Sequence, residues 1–333
     1  MRDPAFWWHE AGLRATLLSP LAAVYGAVAA RRMARAGART GVPVLCVGNF
    51  TLGGAGKTPA AIVLARMLSE AGERVFCLSR GYGGNIAGPK LVDVHNDTAA
   101  AVGDEALLLA RAAPTIVAGD RVAGAELARA TGASVVVMDD GLQNGSIAKD
   151  FTLAVVDGRR GIGNGAVFPA GPLRAPLTTQ LAHTDALLVV GDGTAAESVM
   201  AAARARRLPV LHGRLKPDPA AVTALKPRQV LAFAGIGDPA KFFATLAAAG
   251  IAVAATRSFA DHHRYTAEEA AALVMDAEHD ALTLVTTEKD HARMAGDPAL
   301  AALAARAQVL PVTMAVEQAD DLRKLVTAAL RRP

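Results

Sequence analysis

Residues 48–59 read G-N-F-T-L-G-G-A-G-K-T-P, a stretch rich in groups that can hold a polyphosphate. Gly53, Gly54 and Gly56 let main-chain amides come close to phosphate oxygens, and a helix that starts just after them adds the positive end of its dipole. Thr51, Leu52, Gly53, Gly54, Ala55 and Gly56 would form the cradle; Lys57 would reach the β- and γ-phosphates, and the Thr58 hydroxyl would ligate Mg²⁺. The strict pattern has glycine six residues before the lysine, where this chain has Thr51. A structural turn ending in Gly-Lys-Thr would share these letters. The apolar run before the loop and the helical run A-I-V-L-A-R-M-L after it favour nucleotide binding.

Further along, S-V-V-V-M-D-D-G at 134–141 places Asp139 and Asp140 at the carboxyl end of an apolar strand, the edge where open α/β sheets bind ligands. Alone, such a pair more often caps a turn; beside a phosphate loop it is expected to provide the acidic metal partners. Transfer of a phosphoryl group to an alcohol also needs a group that accepts the hydroxyl proton. V-G-D-E-A-L-L-L at 102–109 offers Asp104 and Glu105, although acids in a first helical turn also simply favour the helix dipole. F-A-D-H-H-R-Y-T at 259–266 offers His262 and His263. Arg80 in S-R-G-Y-G and Arg174 in P-A-G-P-L-R either hold an anionic group or are solvated loop arginines.

These residues need a frame. From residue 42, β-branched runs at 42–47, 74–78, 114–118, 134–138, 152–156 and 186–190 alternate with helical patterns at 58–71, 104–112 and 121–130, the signature of a parallel sheet covered on both faces. A second series has strands at 229–234, 282–287 and 308–313, with helices near 239–249, 266–278 and 317–330. The fold class is α/β: a P-loop NTPase-like parallel-sheet domain over 41–210, a smaller second α/β domain over 229–333, and between them a linker, 211–228, marked by prolines. The length of 333 residues agrees with two cores rather than one.

Residues 1–40 stand apart. They hold six Arg and two acids, so their charge accounts for the whole net +4 and leaves a neutral body. A nucleic-acid binder would spread a basic face over its folded domain, so no nucleic-acid partner is expected. Between Arg14 and Arg31 lie 16 uncharged residues, about 24 Å as a helix and short of a full span, with Pro20 and Gly26 interrupting. With Phe6, Trp7 and Trp8 before it and Arg31, Arg32, Arg35 and Arg39 after it, the segment suits a helix lying at a membrane interface with its aromatics at headgroup depth. The other reading is a helix packed on the body. No signal-peptide pattern is visible, and Cys46 and Cys77 both sit in buried apolar runs, so a disulfide framework or a cysteine metal site is not expected.

Taken in order, G-N-F-T-L-G-G-A-G-K-T-P, S-R-G-Y-G, V-G-D-E, D-D-G-L-Q, V-V-D-G-R-R-G-I-G-N-G, P-A-G-P-L-R, A-F-A-G-I-G, D-H-H and T-T-E-K-D resemble the tetraacyldisaccharide 4′-kinase family over nearly the whole chain. The resemblance implies a peripheral enzyme at the cytoplasmic face of the inner membrane. It would move the γ-phosphate of ATP, with Mg²⁺, to the 4′-hydroxyl of the lipid A disaccharide precursor. It further implies that Asp104 is the base, helped by His262, with Glu105 near the metal beside Thr58, Asp139 and Asp140. Arg80, Asn164 and Arg174 would lie on the substrate side, and Glu288, Lys289 and Asp290 on the nucleotide side. Two positions depart from the family pattern: Asn144 where histidine is usual and Ala175 where glutamate is usual. The motifs also admit a soluble P-loop ATPase or small-molecule kinase, a metal phosphoesterase built on D-H-H, or a nucleotide-gated adaptor.

Overall fold

The structure is a computed structural model that describes residues 3–86 and 88–331. After a 3₁₀ turn (Ala5–Trp8) come α1 (Leu13–Met33), β1 (Val44–Asn49), α2 (Lys57–Glu70), β2 (Val75–Ser79), β3 (Lys90–Leu91), α3 (Ala99–Val102), α4 (Asp104–Ala110), β4 (Thr115–Val117) and α5 (Arg121–Ala130). Then follow β5 (Val135–Asp139), β6 (Phe151–Asp157), α6 (Leu177–Ala182), β7 (Ala186–Val190), α7 (Glu197–Ala205), β8 (Val210–Pro217) and α8 (Pro219–Leu225). The last part holds β9 (Gln229–Ala234), α9 (Pro239–Ala248), β10 (Ala252–Ser258), α10 (Ala267–His279), β11 (Thr283–Thr286), α11 (Glu288–Met294), α12 (Ala301–Arg306), β12 (Gln308–Val309), β13 (Val312–Val316) and α13 (Ala319–Leu330).

Nine strands form the larger sheet in the order β13-β8-β7-β6-β1-β5-β2-β4-β3, parallel except where the edge strands β13 and β3 run antiparallel to their neighbours. Every residue of β1, β2, β4, β5, β6 and β7 is buried, as continuous apolar runs require when helices cover both faces. Alternate residues feed opposite layers. Leu45 and Val47 pack towards α2 and α13, while Val44 and Cys46 pack towards α5. The smaller sheet, β10-β9-β11-β12, is wholly parallel and lies between α10, α11 and α12 on one side and α8 and α9 on the other.

The domain boundary differs from the expected one. The supposed linker contains β8, a strand of the larger sheet, and the chain returns to that sheet at its end, where β13 pairs with β8 from Val312↔Pro217 to Val316↔Gly213. α13 then adds Leu322, Val326 and Ala329 to the core under α2. The second domain is therefore an insertion. Prolines that read as linker punctuation in fact bracket elements: Pro209 precedes β8, Pro217 ends it, and Pro219 begins α8, a position where its missing N–H goes unneeded. The single strand expected over 308–313 is cut at Pro311, which cannot donate to a ladder, so Gln308–Val309 joins β11 while Val312–Val316 joins β8.

α1 is one continuous helix of 21 residues, about 31 Å long, and neither Pro20 nor Gly26 breaks it. Proline at 20 frees the Thr16 carbonyl, and the Ser19 hydroxyl donates to that oxygen at 2.7 Å. One face carries Ala15, Ala22, Gly26 and Met33 against the body; the other exposes Leu13, Leu17, Leu21, Val24 and Val28. Trp7 and Trp8, expected at headgroup depth, make contacts with the body. Trp7 is buried and donates from Nε1 to the Pro169 carbonyl at 3.1 Å, and the Arg160 guanidinium lies 4.9 Å above the Trp8 ring.

Candidate active site

The loop leaving β1 and entering α2 sits at the carboxyl edge of the larger sheet. Gly56 has φ 91°, a left-handed backbone that starts the helix at Lys57 and favours glycine. Thr51, the off-pattern residue, bridges Leu173 as a short antiparallel pair, and the Leu52 N–H donates to the Pro172 carbonyl at 2.8 Å. Its φ is not positive, so the position places no demand for glycine. Arg174 binds the loop from the other side, Nε donating to the Thr51 carbonyl at 2.9 Å.

Both aspartates come to this loop in different roles. The Thr58 hydroxyl donates to Asp139 Oδ2 at 3.0 Å, while Asp139 Oδ1 is buried without a partner. Burial, with the nearby charges of Glu105 and Asp140, pushes the Asp139 carboxyl up to about 7. Asp140, at φ 51°, pairs with Arg174 Nη1 at 2.8 Å and with Lys57 Nζ at 3.9 Å. Burial opposes its charge, yet Lys57 and Arg174 hold it at about 2. Lys57 itself is lowered by burial, with Asp140 opposing the shift.

The second domain closes over this edge. A Cβ at Gly237 would lie 2.9 Å from the Gly54 amide nitrogen, so the G-I-G turn after β9 rests on the phosphate loop. Lys241 Nζ reaches Asp157 Oδ2 at 2.6 Å, and Arg160 pairs with Asp238 at 3.2 Å and Asp3 at 3.5 Å. His262 Nδ1 stands 3.4 Å from Asp104 Oδ2 and its ring packs against Tyr82 at 4.8 Å between centroids. Arg264 donates to the Gly83 carbonyl at 2.7 Å. Burial would raise the Asp104 carboxyl, but the hydrogen bond from His262 and the charges of Lys289 and Arg293 outweigh it and hold it well below the usual carboxylate range. The His262 ring loses water on burial, yet its bond to Asp104 raises it above an ordinary imidazole.

Glu105 is paired with Lys289 at 2.7 Å, which occupies the carboxylate expected beside a metal; burial opposes its charge, and Lys289 and then Lys57 keep it ionised. Lys289 thus faces the acids of α4, and Asp290 is buried within the second domain, while the Glu288 carboxylate accepts the Val312 N–H at 3.4 Å. Asn164 bonds its own loop, donating to the Ala170 carbonyl at 2.9 Å and accepting from the Ala166 N–H at 3.0 Å. Its backbone N–H donates to the Trp7 carbonyl, so it ties the N-terminal segment to the site's rim, beside a cavity of about 610 Å³ also lined by His9, Arg159 and Arg160. Arg80 is exposed on the rim, and its charge acts on the buried Arg121. Asn144 folds back on Ser146, and Ala175 is fully buried, so neither departure opens a gap at the loop. Arg293, which no motif singled out, reaches Asp104 at 2.8 Å. Its signal was the i, i+3 spacing from Asp290, which puts both on one helix face.

A relative from Rhodopseudomonas palustris, named tetraacyldisaccharide 4′-kinase, is 55% identical over 326 residues, covering 98% of this chain and 96% of that one. Another of that name from a Methylobacterium species is 57% identical, covering 99% and 98%. A solved structure, that of the LpxK of Aquifex aeolicus in complex with ATP, aligns with a TM-score of 0.70 at 25% identity, covering 96% of this chain and all of that one. The pattern of the family described as Tetraacyldisaccharide-1-P 4′-kinase matches residues 14–331, and with the loop, aspartates and D-H-H histidine assembled at one sheet edge, this chain belongs to that family.

Proposed function

We infer that this chain is a lipid kinase that transfers the γ-phosphate of ATP to the 4′-hydroxyl of tetraacyldisaccharide 1-phosphate, forming lipid IVA in lipid A biosynthesis. The observation that carries the reading is the meeting of Lys57, Thr58 and Asp139 with Asp104 and His262, from two domains, at one sheet edge. ATP fits the glycine loop, with its phosphates over the amides of residues 53–58 and Lys57 against them. Thr58 and Asp139 fit Mg²⁺: a hydroxyl and a carboxylate supply hard oxygen donors, and Asp139 Oδ1 has no protein partner. Among the described residues no group of three or more His, Cys, Asp or Glu gathers, as suits an ion that keeps waters and phosphate oxygens rather than an all-protein cage. When bound, the ion neutralises charge on the phosphates.

Lys57 stabilises the transferring phosphoryl group, and Arg174 keeps Asp140 and the loop in place. Asp104 accepts the hydroxyl proton with His262 beside it. A carboxylate so acidic is a weak base, which is tolerable because the loose phosphoryl transition state demands positioning more than proton abstraction. Arg80, exposed after β2, would meet the acceptor's anionic group.

Seating at the cytoplasmic face of the inner membrane is the reading that α1 supports. Its outward stripe of Leu13, Leu17, Leu21, Val24 and Val28 ends at Arg31 and Arg32, with Tyr25 and Phe168 paired alongside at 5.2 Å between ring centroids. It is one helix, among the described residues, long and apolar enough to cross a membrane, yet its other face is docked on the body, which favours lying on the leaflet. The test is a phosphorylation assay with purified protein, ATP, Mg²⁺ and the acylated disaccharide. Product phosphorylated at the 4′ position is expected. Transfer confined to small soluble alcohols, or hydrolysis alone, would overturn the assignment.

A further inference from the structure

α11 reaches out of the second domain to the two acids that open α4. Lys289 Nζ lies 2.7 Å from Glu105 Oε1, and Arg293 Nε donates to Asp104 Oδ2 at 2.8 Å. The arginine is itself gripped by its own domain. Its Nη1 donates to the carbonyls of Gly235 at 2.8 Å and His263 at 3.2 Å, and lies 3.1 Å from Asp290 Oδ1. Asp290, fully buried, takes further hydrogen bonds from the Gly235 N–H at 2.9 Å, the Tyr265 hydroxyl at 2.7 Å and the Thr287 hydroxyl at 2.6 Å. All these partners belong to the inserted domain, so the guanidinium is aimed before it meets Asp104.

We propose that Arg293, aligned by Asp290, is a positioning residue for phosphoryl transfer: it fixes the Asp104 carboxylate, and does so only while the second domain is seated against α4. The proposal rests on the reading of Asp104 as proton acceptor. Asp104 Oδ1 accepts the Glu105 N–H at 2.8 Å, and Oδ2 faces both Arg293 and His262, so the carboxylate plane is pinned at each end. Remove Arg293 and the far end is left to the longer 3.4 Å contact with His262, which comes from a loop rather than a helix. Arg293 Nη2 is buried without a protein partner among the described residues. The planar fork matters, because one group must bond a carboxylate in one domain while bonding two carbonyls in the other.

The experiment compares the full chain with Arg293→Met and Arg293→Lys in mixed micelles containing the acylated disaccharide, measuring kcat, both KM values, binding of a fluorescent ATP analogue, and thermal unfolding. Arg293→Met is expected to lower kcat about 100-fold, the scale of a misplaced catalytic group, with acceptor KM and nucleotide affinity changed less than about threefold. Arg293→Lys should recover about tenfold of that loss, since an ammonium can bond Asp104 but not the two carbonyls as well. Wild-type kcat in Arg293→Met, or loss of nucleotide affinity in step with kcat, overturns the proposal. Should Arg293→Met not fold, Arg293→Lys decides: a kcat about tenfold down with intact binding supports it, and an unchanged kcat overturns it. If the wild-type chain transfers nothing to the disaccharide, the functional reading has failed first, and the proposal falls with it.

Discussion

At the phosphate loop, two neighbouring carboxylates a peptide bond apart are driven in opposite directions, Asp140 down by Lys57 and Arg174 and Asp139 up by burial and like charge. Lys57→Ala is expected to lower the transfer rate by roughly 10³-fold or more, the scale of losing a preorganised charge at the reacting phosphate, as measured by initial rates at saturating ATP. Asp104→Ala should abolish transfer while a fluorescent ATP analogue still binds, and His262→Ala should cost less; the reverse ranking would move the proton acceptor to the histidine. Asp139 carries a stability prediction. Its folded pKa lies above the unfolded carboxylate value, so ionisation in the metal-free protein removes stability progressively above the unfolded pKa, and the loss is complete above about 7. Asp139→Asn should therefore raise the unfolding temperature in chelator by about 2–6 °C at pH 8, less at pH 5, and still eliminate transfer.

The helix α1 has two unlike faces. Its small inward residues allow close docking, Gly26 lying against Pro176 and Val167, and its branched outward residues remain uncovered. Deleting it would tear Ala15, Ala22 and Met33 out of the body, so the cleaner test is charge on the outward stripe. Leu17→Glu with Leu21→Glu should cut sedimentation with anionic vesicles at least about tenfold and leave the unfolding temperature within about 2 °C. Elements of this kind were legible in the sequence where period and composition were strong: the buried runs of β1, β2, β5, β6 and β7 each fell within two residues of their expected places. β10 was not, because its residues Ala252–Ser258 lie on an edge, largely exposed, with little apolar run to see. β8 hid behind its prolines. The site followed the same rule: the loop and the aspartates were visible as strings, whereas Glu105 with Lys289 and Asp104 with Arg293 are contacts between distant segments that no local spacing encodes.

For the molecule as a whole, the proposed chemistry requires the insert to sit down on its host, and Gly237 over Gly54 is one close point of that seating. Gly237→Val would force the turn off the phosphate loop, and is expected to lower both ATP affinity and kcat by about tenfold or more while each domain remains folded, a joint loss distinct from the kcat-only effect of Arg293→Met. Lys241 with Asp157 and Arg160 with Asp238 add charge contacts across the same seam, so Lys241→Ala should weaken turnover by a few-fold, in a salt-sensitive way, because partly exposed pairs are worth about 1 kcal/mol. Finally, the pairing of β13 with β8 sets an order of manufacture. Translation delivers the whole inserted domain before it delivers Val312–Val316 and the helix that carries Leu322 and Val326. Until those residues emerge, the part of the core that Met314, Leu322, Val326 and Ala329 complete beside α2 stays open. The host, though begun first, is finished last, and a chain truncated near residue 310 and released would present a complete insert on an unfinished parent, the state in which chaperone capture or proteolysis should fall most heavily.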